Sequence, residues 1–201
     1  MAEVNPSLVK RLRDKTNAGM MDCKRALVES EGDLSKAEDI LRKRGIASAS
    51  KKASRSAKEG VVASYIHLQG KVGVLVEINC ETDFVAKNEN FRDFVKDITL
   101  HIAAAHPLYV SRDQVPAASI ERERDIYREQ VTGKPANIVE KIVEGKIDKF
   151  FSNVCLLDQA FIKNPDQTIK DLVALKIAEL GENIVIRRFA RYAVGEEIVA
   201  G

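Results

Sequence analysis

The side chains able to make or break bonds are few, and they do not gather. His101 and His106 are five positions apart, about 140° around a helix of 3.6 residues per turn, so they do not converge on a metal ion. His67 falls in a strand-like run and reads as a hydrogen-bonded structural histidine. With Cys80 and Glu81 it could form a thiol, imidazole and carboxylate set, but nothing nearby marks an oxyanion hole or an activated thiolate. Glu81 and Asp83 stand two apart at a turn without aromatic residues to wall a pocket, and read as a cap and a surface charge rather than an acid–base pair. Cys23, Cys80 and Cys155 are widely spaced with no Cys-x-x-Cys pair, which suits reduced thiols better than a disulfide framework. No Gly-x-x-x-x-Gly-Lys loop occurs, so the chain is not expected to bind a nucleotide itself. No catalytic residue, metal or cofactor is expected.

The most pointed feature is instead a corner. Residues 72–78, VGVLVEI, form a near-continuous β-branched run that reads as a strand. A polar turn then starts a helix, with Thr82 as N-cap and Asp83 in the first turn, where the helix dipole favours a carboxylate. Between them and the following apolar helix stands Phe84. Read from local pattern only, Phe84 would be a buried aromatic at a helix start.

The elements that hold this corner follow from periodicity. Residues 61–68 form a second strand, and the Gln69-Gly70-Lys71 turn makes the two a hairpin. Phe91, Phe94, Val95, Ile98 and Ile102 recur at helical spacing and predict about four turns of amphipathic helix ending near His106-Pro107. A charged helix is expected over residues 115–130, broken by Thr132-Gly133-Lys134-Pro135. Another covers 136–151, with Gly145 as a weak point or end. Residues 155–161 read as a short apolar loop or edge element, and a further helix over 168–180 stops at Gly181. Residues 183–194 form a third strand. Ile186, Arg188, Ala190 and Tyr192 lie on one of its faces, with Arg187, Phe189, Arg191 and Ala193 on the other.

Ahead of this core, residues 1–45 read as three short helices. Asn5-Pro6 starts the first, Thr16-Asn17-Ala18-Gly19 interrupts it, residues 20–30 form the second, and Asp33 caps a third that Gly45 closes. Met20 and Met21 are adjacent, so one is expected to pack and the other to offer an adaptable thioether to a partner. Residues 42–58 carry seven basic side chains and no acid. Residues 46–59 are therefore read as a basic linker, with 60–201 as the core. An RNA contact is conceivable there, but no aromatic side chain is interleaved to stack on bases.

Across the chain 32 Lys and Arg nearly balance 30 Asp and Glu, so no global field points to nucleic acid or membrane. Residues 1–6 show no signal-peptide apolar core, and no apolar run approaches membrane length.

Two motifs carry a resemblance. Residues 77–88, EINCETDFVAKN, and residues 12–27, LRDKTNAGMMDCKRAL, stand in the right order and spacing to resemble the elongation factor Ts family, whose hallmark is a strand followed by Thr-Asp-Phe-Val. The resemblance implies an α+β fold. An N-terminal three-helix module similar to ubiquitin-associated domains would precede a core of a small three-stranded antiparallel sheet packed with helices. It implies a cytoplasmic guanine-nucleotide exchange factor, without covalent chemistry, that binds GDP-bound elongation factor Tu, displaces its magnesium and promotes GDP release. Thr82, Asp83, Phe84 and Val85 would form the exchange motif; Leu12, Arg13, Met20 and Met21 would help dock the N-terminal module. The chain resembles short family forms, which lack a duplicated core half and a protruding antiparallel helical hairpin and which can compensate by pairing, so a homodimer is expected. The competing readings are an RNA- or ribosome-associated protein, from the basic run, and a ubiquitin-associated-type binding module, from the first three helices.

Overall fold

The computed structural model describes residues 5–16, 18–131 and 135–197. Residues 1–4, Asn17 of the second motif and the break expected at Thr132, Gly133 and Lys134 lie outside the described residues. The fold is α+β. By its contacts the chain divides into two compact units: Met1–Val62 with Glu77–Val95 and Asp171–Ile186, and Ala63–Val76 with Lys96–Lys170 and Arg187–Gly201.

In the first unit α1 covers Pro6–Thr16, with the Asn5 side chain accepting from the Ser7 amide at 2.9 Å. Helix α2, Met20–Glu29, ends in a turn where Gly32, at φ +87°, donates to the Leu27 carbonyl. Helix α3, Leu34–Lys52, is capped by Asp33, which accepts from the Lys36 amide. The three share an apolar cluster of Val9, Leu12, Cys23, Ala26, Leu27, Ala37 and Leu41.

Gly45 does not close α3. The helix runs through it for two further turns, so much of the expected basic linker is helical. A Cβ at Gly45 would lie 3.3 Å from Leu175 Cδ2 and 3.7 Å from the Ala174 carbonyl oxygen, so the glycine serves close approach rather than termination.

Strand β1, Glu59–His67, is joined by a 3-10 turn over Leu68–Gly70 to β2, Val72–Cys80. So short a connection between adjacent strands makes the pair antiparallel. Gly60, at φ +137°, is required there: a Cβ would sit 2.2 Å from the Ile78 carbonyl oxygen. Helix α4, Asp83–Ala86, is a single turn, and α5, Glu89–Ala105, is the expected amphipathic helix, with Phe91, Phe94, Val95, Ile98 and Ile102 all buried.

In the second unit α6 covers Ala117–Glu129 and α7 covers Ala136–Val154. Helix α7 passes through Gly145, which is neither its end nor close to other atoms. Contrary to the expectation that the chain lacks an antiparallel helical hairpin, these helices form one. Arg124 pairs with Glu144 and Arg128 with Glu140, an antiparallel register. Helix α6 has no fully buried residue, so its side of the pairing leaves little periodic trace. Together the two helices close a cluster around Val143, Ile147, Phe151 and Cys155. Beyond a 3-10 turn at Leu156–Asp158 comes a two-stranded antiparallel ladder that periodicity misses, β3, Ala160–Phe161, with β4, Asn164–Thr168. Strands this short and polar carry no alternation to read.

Helix α8, Ile169–Leu180, ends at Gly181 with φ +79°, as expected, and β5 covers Val185–Ala193. The larger sheet has the order β1-β2-β5. Val194 donates to the Lys71 carbonyl, placing the end of β5 beside the start of β2, again antiparallel. Arg191 Nε donates to the Ala103 carbonyl at 3.4 Å and Tyr192 next to it is exposed, whereas Ile186, expected on the same face as Tyr192, is buried, so the two expected faces do not divide cleanly into inner and outer along β5.

His101 is fully buried on α5. Its Nδ1 accepts from the Ile162 amide at 3.3 Å, which leaves Nε2 as the donor to Gln159 Oε1 at 3.0 Å. Gln159 in turn donates to the Asn153 carbonyl. The ring is therefore neutral, and burial pushes its pKa down from the ordinary histidine value. A histidine neutral in the fold stabilises fully above its unfolded pKa, about 6.5, and loses that contribution as pH falls below it. Denaturant midpoints measured at about pH 7 and about pH 5 should fall for the wild type, and fall less for His101→Gln, which takes up no proton there.

Candidate functional site

The corner is built as a capped, exposed turn. Thr82 is extended, at φ −128° and ψ 154°, and its hydroxyl accepts from the Val85 amide at 3.3 Å. Asp83 sits in the first turn and takes the Lys87 ammonium at 2.7 Å. That ammonium holds the Asp83 carboxyl below the usual carboxylate range. Val85 and Ala86 turn inward and are buried.

Phe84 points the other way and is 79% exposed, not the buried aromatic that local pattern suggests. Burying such a ring would contribute about 2 kcal/mol, so the fold forgoes that stabilisation here. The exposed ring on its capped turn is therefore available to a partner without any change in the fold.

The turn is held from below by two segments that exchange carboxylates. Glu182 Oε2 accepts from the Glu81 and Thr82 amides, each at 3.0 Å, and its Oε1 accepts from the Thr82 hydroxyl at 2.6 Å. In return Glu81 Oε1 accepts from the Asn183 amide at 2.6 Å. The buried Asn183 side chain donates to the Ala53 and Arg55 carbonyls just past the end of α3. The Glu81 carboxylate is thus engaged as an acceptor for the chain that follows α8. Glu182 and Asn183 were not among the candidate residues. They lie about a hundred positions from the motif, and only their place after the helix-ending Gly181 sets them apart.

Of the docking candidates, Leu12 is fully buried in the three-helix cluster, so it shapes the module from inside. Arg13 is exposed. Met20 and Met21 are 50% and 63% exposed, which corrects the expectation that one of them packs. Both start α2 after Gly19, before the helix has turned its apolar face inward to Cys23, Ala26 and Leu27. Val28, seven positions after Met21 and so on the same face, extends the exposed apolar stripe.

Bond-breaking chemistry finds no support at these residues. The Cys80 thiol is buried and donates to the Thr82 carbonyl at 3.1 Å, and burial pushes its pKa up to about 11, the reverse of an activated thiolate. His67 Nδ1 shares a hydrogen bond with the Tyr65 hydroxyl at 2.9 Å. Among the described residues no group of three or more His, Cys, Asp or Glu side chains is placed to hold a metal ion. Nor is any described helix long and apolar enough to cross a membrane.

Fold and site together define an α+β protein with an exposed aromatic on a capped, hydrogen-bonded turn. Residues 38–196 match the family described as Elongation factor TS. The chain is 60% identical over 195 residues to Elongation factor Ts of Carboxydothermus hydrogenoformans, covering 96% of this chain and 90% of that protein. It is 57% identical over 195 residues to that of Geobacter sulfurreducens, with the same coverage, and 56% identical over 194 residues to that of Thermodesulfovibrio yellowstonii, covering 96% and 97%. The chain belongs to the elongation factor Ts family.

If Phe84 is there for contact and not for packing, Phe84→Ala should move the unfolding free energy by less than about 0.5 kcal/mol. Thr82→Ala, which removes the cap, should cost about 1 kcal/mol. Chemical denaturation of both variants checks the contrast.

Proposed function

We propose that this chain is a guanine-nucleotide exchange factor for elongation factor Tu in translation elongation, acting in the cytoplasm and without covalent chemistry. The observation that carries the reading is an exposed phenylalanine on a capped, braced turn in a member of the elongation factor Ts family. The physical basis is linkage. A partner that binds nucleotide-free Tu more tightly than GDP-bound Tu weakens GDP by the same factor, and a tenfold effect corresponds to about 1.4 kcal/mol of differential contact.

Thr82, Asp83, Phe84 and Val85 form the exchange motif in this reading. Phe84 supplies apolar area to part packed elements near the partner's phosphate site. Asp83, whose solvent-screened pair with Lys87 is readily given up, supplies a carboxylate that disturbs the magnesium geometry. Val85 anchors the turn from inside, and Thr82 caps it. The three N-terminal helices, whose own apolar cluster supports a ubiquitin-associated-like arrangement, dock through Arg13, Met20 and Met21, with Leu12 beneath them.

The RNA reading is weakened by the use made of the basic run. Arg44 pairs with Glu29, Lys52 donates to the Ile177 carbonyl, and Arg55 lies 3.5 Å from Glu81. Pairing of two copies is supported in the second unit by a bare apolar sheet face. Ile66, Leu75 and Tyr192 are exposed on β1, β2 and β5, and a Cβ on Gly73 would touch Ile66 Cδ1. Three apolar side chains on one sheet face are the material of an isologous interface. It would be non-covalent, since β5 carries Ala190 and no cysteine.

The test is release of a fluorescent GDP analogue from purified elongation factor Tu. The wild-type chain should accelerate it, and Asp83→Ala with Phe84→Ala should abolish the acceleration while still binding Tu. A wild type with no effect on release removes the exchange reading. Sedimentation equilibrium should give a dimer mass for the wild type and a monomer mass for Tyr192→Glu; a monomeric wild type removes the pairing.

A further inference from the structure

We infer that Glu182 is a positioning residue for the exchange motif, a role that rests on the exchange reading above. Its carboxylate accepts from the Glu81 amide, the Thr82 amide and the Thr82 hydroxyl. These are the three donors immediately before the turn that carries Asp83 and Phe84. Charge-assisted bonds of this kind are short and directional, so they fix the turn's backbone as well as stabilising it.

The Cys80 thiol donates to the Thr82 carbonyl, but the amides of Glu81 and Thr82 and the Thr82 hydroxyl all converge on Glu182. Val85 and Ala86 anchor only the inner side of the turn, and the Thr82 hydroxyl that caps the Val85 amide is itself oriented by Glu182. Gly181, at φ +79°, ends α8 and lets the chain reverse so that Glu182 meets the motif. An exposed ring can part a partner's packed elements only if it does not swing away under load. A one-ångström misplacement of a working group costs about a hundredfold in well-studied cases. Glu182 touches no partner in this account; it acts through Thr82 and Glu81.

The variants that test this keep the fold. Glu182→Gln preserves volume but turns one acceptor oxygen into an N–H donor facing the Thr82 donors. Glu182→Asp keeps the carboxylate and shortens the reach. Val143→Ala, in the α6–α7 cluster of the second unit, supplies a matched loss of stability. GDP release from elongation factor Tu is followed against the concentration of each full-length variant, and amide hydrogen exchange of the free proteins is followed at residues 83–87.

For Glu182→Gln the maximal release rate should fall about tenfold or more while the half-saturating concentration stays within about threefold, since docking through α2 is untouched. Amide exchange at residues 83–87 should rise with that in the middle of α5 unchanged, and Glu182→Asp should recover part of the rate. Wild-type maximal rate in Glu182→Gln overturns the inference. So does a loss no different from that of Val143→Ala at equal melting temperature, or unchanged amide protection at the motif. A wild type that leaves GDP release unaltered defeats the exchange reading itself, and the wild-type arm alone shows that.

Discussion

A turn that holds an apolar ring in one place in water needs its preceding amides paired within its own fold, since bonds to water would leave the backbone free to move. Here the carboxylates of Glu182 and Glu81 meet that constraint by crossing over, each accepting from the amides of the other's segment. The exchange joins residues about a hundred positions apart and is extended by Asn183 to the carbonyls beyond α3. Without it the Thr82 cap would have an unoriented hydroxyl, and the single turn of α4 would be too short to hold itself, since helices of so few residues are marginal in water.

The first unit therefore braces the elements that carry its exposed apolar side chains. Phe84, Met20 and Met21 all stand in solvent on elements whose opposite faces are buried in Val85 and Ala86 or in Cys23, Ala26 and Leu27. Each exposed residue sits within three positions of a buried one, so its backbone is tied to a packed core. The second unit follows a different plan. Its helical hairpin is zipped by exposed Arg–Glu pairs outside a modest apolar cluster, and its buried polar centre, His101 with Gln159, is fully bonded.

Much of this was legible in the sequence where periodicity is strong. The β1–β2 hairpin, α5, α8 and β5 lie within a few residues of their expected bounds, and the Thr82 cap and the Gly181 stop were readable from residue type. Glycine misled where it served packing. Gly45 and Gly145 both looked like helix ends, yet one admits a close neighbour and the other is tolerated in an exposed turn. The exposure of Phe84 and of both methionines was not legible from local pattern, because an aromatic or thioether in an apolar stretch reads as core until its neighbours are placed. The Glu182 contacts were invisible for a related reason: long-range pairing of polar residues leaves no periodic trace.

The passage of α3 through Gly45 has a consequence for how the chain can vary. One uninterrupted helix of 19 residues leads from the three-helix cluster to the carbonyls that Asn183 grips. At 1.5 Å per residue it is a strut of about 28 Å. A helix of that kind acts as a ruler with a screw thread. Adding one residue advances its end by 1.5 Å and turns it by about 100°, carrying Ala53 and Arg55 away from Asn183, whereas adding a near-integral number of turns restores the angle at a new length. The spacing between the methionines and the phenylalanine can therefore change only in steps of about a helical turn.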